Sequence, residues 1–357
     1  MSQIKPKALI AMSGGVDSSA AAYFMQQAGY DCAGAIMKLY EHHDSAAVGK
    51  CGSADDMQDA HNIASRLGMP FHVLDFTAEF KREIIAKFCD EYMAGRTPNP
   101  CIDCNRLMKF GLFLQRARLM DCGVIATGHY ARIEQSNTGR WLLRKAADST
   151  KDQSYVLYTL KQEQLAQVKL PLGEMTKQQV RNLAAQLDFL NAEKPDSQDI
   201  CFVPDGDYGS FLEHRLLLSD YAGDFVDAFG TVLGRHRGHY RYTVGQRKGL
   251  GLAFDSPRYV IAKDSTANTV TLGKCEELLR GICNLADINL IAVDKIEQSL
   301  QVKIRTRYHQ KEVPCTVTQT GQDTLRIEFS EPQAAIAPGQ AAVIYDGDYV
   351  VGGGTIQ

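Results

Sequence analysis

The sequence predicts an α/β protein in which a parallel β-sheet clad in helices comes first, a small middle domain follows, and an antiparallel β-barrel ends the chain. Three observations carry that prediction. Over the first half, short apolar runs alternate with longer amphipathic stretches, the pattern of a parallel sheet covered by helices. After about residue 203 a short helical stretch leads into a glycine-rich basic one, "GRHRGHYRYTVGQRKGLGL". From about Ile282 onward there are only short alternating runs: "QVKIRTRY", "VPCTVTQT", "TLRIEFS" and "AAVIYDGDYVVGGGTI". Asp346-Gly347 between apolar runs signals a hairpin, and several such strands suggest a small barrel or sandwich. The expected domains are 1–203, 204–278 and 279–357.

The elements of the first domain follow in order. "ALIAM" (Ala8 to Met12) is a buried strand, and "SSAAAYFMQQAG" turns helical. "CAGAIMKL" is a second strand. "DDMQDAHNIASRLG" has a helical apolar period, with Gly68 placed to cap its end. "FHVLDF" is a strand, and "EFKREIIAKFCDEYMAG" is a helix ending at Gly95. "GVIATGHYARI" is one further strand, with Gly128 and His129 at its end. Ligands bind beyond the carboxyl ends of strands in such sheets, where the Ser13 loop and the Gly128-His129 pair both fall.

A length of 357 residues suits two or three domains, and 45% hydrophobic with 23% charged residues is ordinary for a soluble globular chain. No apolar run approaches the ~20 residues that span a bilayer. "MSQIKPK" leads into too short an apolar run for a signal peptide, so a cytoplasmic protein without membrane association is expected. A net charge of -3 gives no global signal for nucleic acid, so any RNA contact must be local. The ten cysteines favour free thiols, a metal site or catalytic sulfur over structural disulfides.

The first strand runs straight into "SGGVDSS", Ser13 to Ser19. A strand entering a glycine-rich turn and then a helix aims several backbone N–H groups at one point, where the helix adds partial positive charge. Serine hydroxyls are expected to add donors, and Asp17 to help hold the magnesium that accompanies a nucleotide. No Gly-Lys-Ser/Thr follows, so this is not a Walker A loop. An ordinary turn with a serine N-cap is the plain alternative. "SGGVDSS" resembles the pyrophosphate loop of the N-type ATP pyrophosphatases, which cleave ATP between the alpha and beta phosphates and adenylate an oxygen of their substrate.

Cys101 and Cys104 lie in "GRTPNPCIDCNRLMKF", and Cys201 in "KPDSQDICFV". A second C-x-x-C or a His pair at zinc spacing is absent, so no structural zinc is expected. Two buried small residues, or half a metal site, would account for the spacing alone. Together with these, "ATGHYAR", "KDQSYVLYTL", "YTVGQRKGLGL", "TRYHQ..PCTV" and "PGQAAVIYDGD..VGGG" resemble, in order and over nearly the whole chain, the tRNA-specific 2-thiouridylases (the MnmA/TrmU family).

The resemblance implies a pyrophosphate-loop ATP pyrophosphatase domain followed by two RNA-holding domains. It implies replacement of oxygen by sulfur at carbon 2 of the wobble uridine in tRNAs for Lys, Glu and Gln, with ATP and Mg2+ consumed. Cys201 matches the persulfide carrier. Cys104 matches its partner, which either liberates sulfide or resolves a Cys104–Cys201 disulfide. Ala11, Met12, Ser13, Gly14, Gly15, Val16, Asp17, Ser18, Met37 and Gly128 should contact ATP, with Asp17 and the loop amides steadying the departing pyrophosphate. Asn99, Pro100 and Cys101 should lie by the target base. His129, Lys151, Asp152, Gln153, Arg307, Tyr308 and Gln340 should contact tRNA. The expected partners are the tRNA anticodon arm and a persulfide donor, either a cysteine desulfurase or a relay protein.

Many relatives carry aspartate where this chain has Cys101. That departure opens a second possibility, a [4Fe-4S] cluster on Cys101, Cys104 and Cys201 with one iron left for sulfide. Two other readings are an adenylating ligase that uses ammonia, and an RNA-binding sulfur carrier without chemistry on the base. The first leaves the paired cysteines unexplained, and the second leaves the ATP loop unexplained. Arg235, Arg237, Arg241, Arg247 and Lys248, interleaved with Tyr240 and Tyr242, read as an RNA grip. His42, His43 and Cys51 receive no role. Cys32, Cys89, Cys122, Cys275, Cys283 and Cys315 are expected to be packing residues.

Overall fold

A computed structural model describes residues 5–39, 53–195, 199–203, 206–219 and 221–357. His42, His43, Cys51 and the Asp196-Ser197-Gln198 part of "DSQDICF" lie outside the described residues. The chain forms two compact units. One comprises Met1–Ile84, Cys101–Gly206 and Asp348–Val350; the other comprises Ile85–Pro100, Asp207–Gly347 and Val351–Gln357.

The first unit is built on a parallel sheet. Its strands are β1 (Lys7–Ala11), β2 (Asp31–Lys38), β3 (Phe71–Asp75), β4 (Val124–Ala126) and, after the hairpin β5 (Arg132–Gln135) and β6 (Trp141–Arg144), β7 (Val168–Lys169). The order is β3-β2-β1-β4-β7, with β1 central: Leu9 pairs with Ala33 on one side and Ile125 on the other. A strand paired on both sides and covered on both faces must be apolar throughout, and "ALIA" meets that demand. Ala20, Ala21 and Ala22 of helix α1 (Val16–Gln27) and Ala60, Ile63 and Ala64 of α2 (Ala54–Arg66) join Ala8 and Ile10 in one core. Small side chains on α1 let its backbone lie close to the sheet.

"GVIATGHYARI" does not form one strand. β4 ends at Ala126, and the chain passes through residues 127–131 before β5 begins. Gly128 is packed so closely on the start of α1 that a Cβ there would lie 2.7 Å from the Asp17 carbonyl carbon. The backbone leaves the ladder to make that approach. Helical turns run over Thr77–Phe80, Lys81–Ile85 and Ala86–Met93, the middle one of the wide π type. A longer π-type segment spans Cys104–Leu112.

The second unit holds a mixed sheet and a barrel. The sheet has β8 (Gly223–Val226), β9 (Val232–His236), β10 (Tyr259–Asp264) and β11 (Thr269–Gly273), ordered β10-β11-β8-β9. The barrel has β12 (Arg280–Leu290), β13 (Leu300–Arg305), β14 (Val313–Gly321), β15 (Thr324–Gln333), β16 (Ala341–Asp346) and β17 (Tyr349–Ile356). Its order is β12-β15-β14-β13-β16-β17, and Leu285 pairs with Ile356 to close it. Leu325, Ile327 and Phe329 alternate inward along β15, the period-two pattern that fills a small barrel.

Two expectations fail in the second unit. Tyr240 and Tyr242 are buried, so they are core residues and not a stacking platform for bases. Arg241 belongs with them: its Nε donates to Glu213 Oε1 at 2.8 Å, and the Tyr240 hydroxyl donates to the same oxygen at 3.0 Å. A half-buried guanidinium is best paired, and this one is paired by a carboxylate of its own unit. Arg235, Arg237, Arg247 and Lys248 do face solvent. Cys275 is exposed, not packed, because it opens a 3-10 turn (Cys275–Leu278) on the surface. Cys32, Cys89, Cys122, Cys283 and Cys315 are buried as expected. Burial pushes the thiols of Cys32 and Cys89 up to about 11 and those of Cys283 and Cys315 to about 12, which leaves them unreactive.

Candidate active site

The site in the first unit starts where β1 ends. Ala11 and Met12 are buried, and Met12 N–H donates to Ala35 O at 2.8 Å, which carries the strand pairing to the brink of the loop. Gly14 has φ +74, and a Cβ on it would come within 2.5 Å of the Asp56 carbonyl oxygen. Only glycine fits both the left-handed turn and that contact. Gly15 is the N-cap of α1, and no side chain caps the helix. The first amides of α1 therefore have no intrahelical acceptor and point into the loop, where the helix is positive. Met37 is half-buried on β2, opposite Leu74 of β3.

The loop serines are engaged within the loop itself. Ser18 and Ser19 hydroxyls both donate to Gly15 O, at 2.9 and 3.1 Å, and Ser18 Oγ accepts from Ser13 N at 3.1 Å. They hold the turn closed. The Ser13 hydroxyl also leans on Ser18 Oγ, at 3.3 Å, and Ser13 is exposed.

Asp17 is held by an ammonium and a phenol. Lys177 Nζ donates to its two carboxylate oxygens at 2.8 and 2.7 Å, and the Tyr130 hydroxyl donates to Oδ1 at 2.7 Å. Lys177 is the first residue of the helix Lys177–Gln186, and its own N–H donates to Asp148 Oδ2 at 3.0 Å. Asn191 Nδ2 donates to Gly14 O and Ser19 Oγ, each at 2.9 Å. Sequence reading missed Lys177, Tyr130 and Asn191. Each lies more than a hundred residues from its partner, and no local pattern marks them.

Three of the expected RNA residues of this unit are engaged by the protein itself. His129 is buried, Thr127 Oγ1 lies 2.8 Å from its Nδ1, and its ring packs on Phe110. Burial, aided by the Lys109 ammonium, holds this histidine neutral, well below the ordinary range. Asp152 is buried and accepts from Ala146 N, Ser154 N and Ser154 Oγ. Gln153 brackets Tyr130: its N–H donates to Tyr130 O at 2.8 Å, and its Oε1 accepts from Tyr130 N at 2.9 Å. Asp152 and Gln153 thus shape the 127–131 loop beside Asp17, while Lys151 is half-exposed next to them.

Cys101 is open to solvent. The protein around it still pushes its thiol up, offset in part by the Lys109 ammonium. Cys104 is buried at the start of the π-type segment, a feature frequent at functional sites. Asn105 beside it donates to Val156 O at 3.0 Å and keeps its Oδ1 buried without a partner. Cys201 is half-buried in a turn. Phe202 and Val203 after it are buried, and Phe202 packs edge-on against Phe80 at 5.8 Å. Those two apolar anchors fix the segment beside the thiol. Among the described residues no three His, Cys, Asp or Glu side chains gather as a metal site. Cys101, Cys104 and Cys201 are not gathered into such a site, and Asp17 is held by Lys177 and Tyr130.

In the second unit, Gln340 Nε2 donates to Thr97 O at 2.9 Å and to Pro98 O at 3.3 Å. It braces the stretch that carries Asn99 and Pro100, of which Asn99 is half-buried and Pro100 buried. Arg307 is exposed and Tyr308 half-exposed, in the turn after β13 and not on a strand. The neighbouring Arg305 is taken up by Glu312 at 2.9 Å and by the Tyr345 ring.

A parallel-sheet unit with an uncapped, glycine-turned helix start at the carboxyl end of its central strand, joined in one chain to a closed antiparallel barrel, defines an α/β enzyme of the pyrophosphate-loop class with an all-β extension. Family models match along the chain: the tRNA methyl transferase HUP domain over residues 6–205, the tRNA methyl transferase PRC-barrel domain over 209–274 and the aminomethyltransferase beta-barrel domain over 280–356. The tRNA-specific 2-thiouridylase MnmA of Clostridioides difficile (strain 630) is 46% identical over 353 residues, covering 98% of both chains. That of Acetivibrio thermocellus is 46% identical over 357 residues, covering 99% of both. The chain belongs to the tRNA-specific 2-thiouridylase family. A solved 4-thiouridine synthetase–RNA complex with bound ATP has a TM-score of 0.39 at 16% identity, covering 59% of this chain and 50% of that one, too slight a likeness to carry an argument. No helix among the described residues is long and apolar enough to cross a membrane.

Proposed function

We propose that the chain is an ATP-dependent tRNA-uridine 2-sulfurtransferase acting on the wobble uridine of tRNAs for Lys, Glu and Gln. The observation that carries this is whole-length membership of the thiouridylase family together with a phosphate-accepting loop and three thiols in one compact unit. Methyl transfer, which the family-model descriptions mention, leaves both the loop and the thiols without a task.

The loop amides bind the phosphates of ATP. The uridine O2 attacks the alpha phosphorus, an O–P bond forms, the alpha–beta anhydride breaks, and pyrophosphate leaves. The amide-like oxygen thereby becomes the oxygen of a good leaving group, AMP. The outer sulfur of a Cys201 persulfide attacks carbon 2, the C2–O bond breaks, and AMP departs. The Cys104 thiolate then attacks Cys201 Sγ, which forms a Cys104–Cys201 disulfide and releases 2-thiouridine; a thiol reductant restores the pair. In the other order, Cys104 first attacks the persulfide and frees sulfide to attack the base.

Magnesium enters with ATP as part of the substrate, and no step is assigned to an iron-sulfur cluster. Residues 1–203 carry the chemistry, and 204–278 and 279–357 hold the anticodon arm, with Asn99, Pro100, Arg307, Tyr308, Gln340 and Lys151 assigned to RNA. A cysteine desulfurase or a relay protein supplies the persulfide, and the protein works in the cytoplasm. Nucleoside analysis of tRNA incubated with ATP, a persulfide donor and the protein tests the proposal: 2-thiouridine should appear with wild type and be absent with Cys201→Ser. Thiolation by Cys201→Ser at the wild-type rate would refute it.

A further inference from the structure

The chain that leads to Cys201 is pinned to the phosphate loop. Asn191 is buried, and its amide reaches Gly14 O and Ser19 Oγ at 2.9 Å each. That occupies the Gly14 carbonyl oxygen of the phosphate loop with a donor. Three residues later, Lys194 Nζ donates to Asp56 Oδ1 at 2.6 Å and Asp59 Oδ2 at 2.8 Å on the first turns of α2. Asp56 in turn lies directly beneath Gly14. Burial lowers the Lys194 ammonium, but its bonds to Asp56 and Asp59 outweigh that and hold it above its ordinary value, so it stays charged. The 191–194 segment is thus tied at Asn191 to the loop and at Lys194 to the start of α2, which packs against Gly14.

We infer that Asn191 and Lys194 are positioning residues that fix the origin of the Cys201 segment on the ATP loop, so that the sulfur is delivered where the base is adenylated. The inference rests on the assignment of Cys201 as sulfur carrier. Six residues lie between Lys194 and Cys201, a tether of seven Cα steps that reaches at most ~25 Å when fully extended. A short tether with a fixed origin gives its reactive end a high effective concentration. Phe202 and Val203 seat the far end of the same tether. With the origin slack, the adenylated base waits longer for sulfur, and water takes it: hydrolysis returns uridine and AMP without thiolation.

The readout is AMP formed per 2-thiouridine formed in one reaction of the full chain with unmodified tRNA, ATP and a persulfide donor. Wild type should stay near one. Lys194→Met should raise the ratio about tenfold, the scale on which misplacement of a reacting group is felt, and Lys194→Arg should restore it. Asp59→Asn slackens the same grip and serves where Lys194→Met is insoluble. Asn191→Ala should raise both the ratio and the KM for ATP. A wild-type ratio in Lys194→Met or Asp59→Asn, at whatever rate of AMP release remains, overturns the inference. Cys201→Ser run alongside separates the two levels: 2-thiouridine made without Cys201 removes the sulfur-carrier reading itself, independently of the ratio.

Discussion

The Lys177 ammonium stands 2.8 and 2.7 Å from the two carboxylate oxygens of Asp17, in the first turn of the helix that follows the phosphate loop. Asp17 suits the positive start of a helix, but a bare carboxylate there would repel a triphosphate. Lys177 cancels that repulsion. Lys177→Met should raise the KM for ATP about tenfold, equivalent to ~1.4 kcal/mol of binding. The ATP dependence of AMP release measures this, and an unchanged KM would show that Lys177 has no part in nucleotide binding.

The two glycine contacts make a steric prediction. A methyl group at Gly14 meets Asp56 backbone at 2.5 Å, and one at Gly128 meets the Asp17 carbonyl carbon at 2.7 Å. Backbone atoms cannot move aside as a flexible side chain can, so Gly14→Ala and Gly128→Ala should each cost about 1–3 kcal/mol of stability. Urea unfolding checks the stability, and nucleotide titration should show weaker ATP binding in both.

Histidines set an acid limit. Burial holds His129 well below the ordinary 6.5, and His236 is lowered by burial too. As pH falls below 6.5, the unfolded chain takes up protons at these rings that the folded chain refuses, so stability falls with pH. The slope should reach up to ~1.4 kcal/mol per pH unit for each histidine. Unfolding measured at about pH 7.5 and about pH 5.5 reads this slope. His129→Gln should flatten it, and an equal slope in that variant would assign the acid sensitivity elsewhere.

The basic stretch of the second unit divides by burial. Arg241→Ala leaves Glu213 partly buried without its guanidinium and should lower the melting temperature. Arg247→Ala and Lys248→Ala, both at exposed positions, should leave melting unchanged and weaken tRNA binding. Each should flatten the salt dependence of binding by about one unit of slope. Equal salt slopes in wild type and variants would place the RNA on another surface.

What the sequence made legible was local or periodic. The buried β1, the alternating β15, the glycine-turned loop and the family's motif words all sit in short windows, where the physics of a strand, a turn or a helix start acts on adjacent residues. What it hid was contact between distant windows. Lys177 reads as the first residue of an ordinary capped helix, and only the fold brings it to Asp17. Tyr240 and Tyr242 sit among arginines, which disguised them as an RNA surface, yet both are buried and Tyr242 joins the core of the β8–β11 sheet. "TGHYA" continues an apolar run, and nothing local reveals that Gly128 must leave the ladder to touch α1. Nothing local to Asp17 reveals its ammonium partner, 160 residues away.

On the proposed function, this loop cleaves ATP to activate a tRNA base. The most direct test is to separate the nucleotide products formed with and without tRNA carrying an unmodified wobble uridine. AMP and pyrophosphate should appear only with that tRNA, and should still appear with Cys201→Ser although no 2-thiouridine forms. ADP as the product, AMP release that ignores tRNA, or no cleavage even with a persulfide donor present would contradict the account.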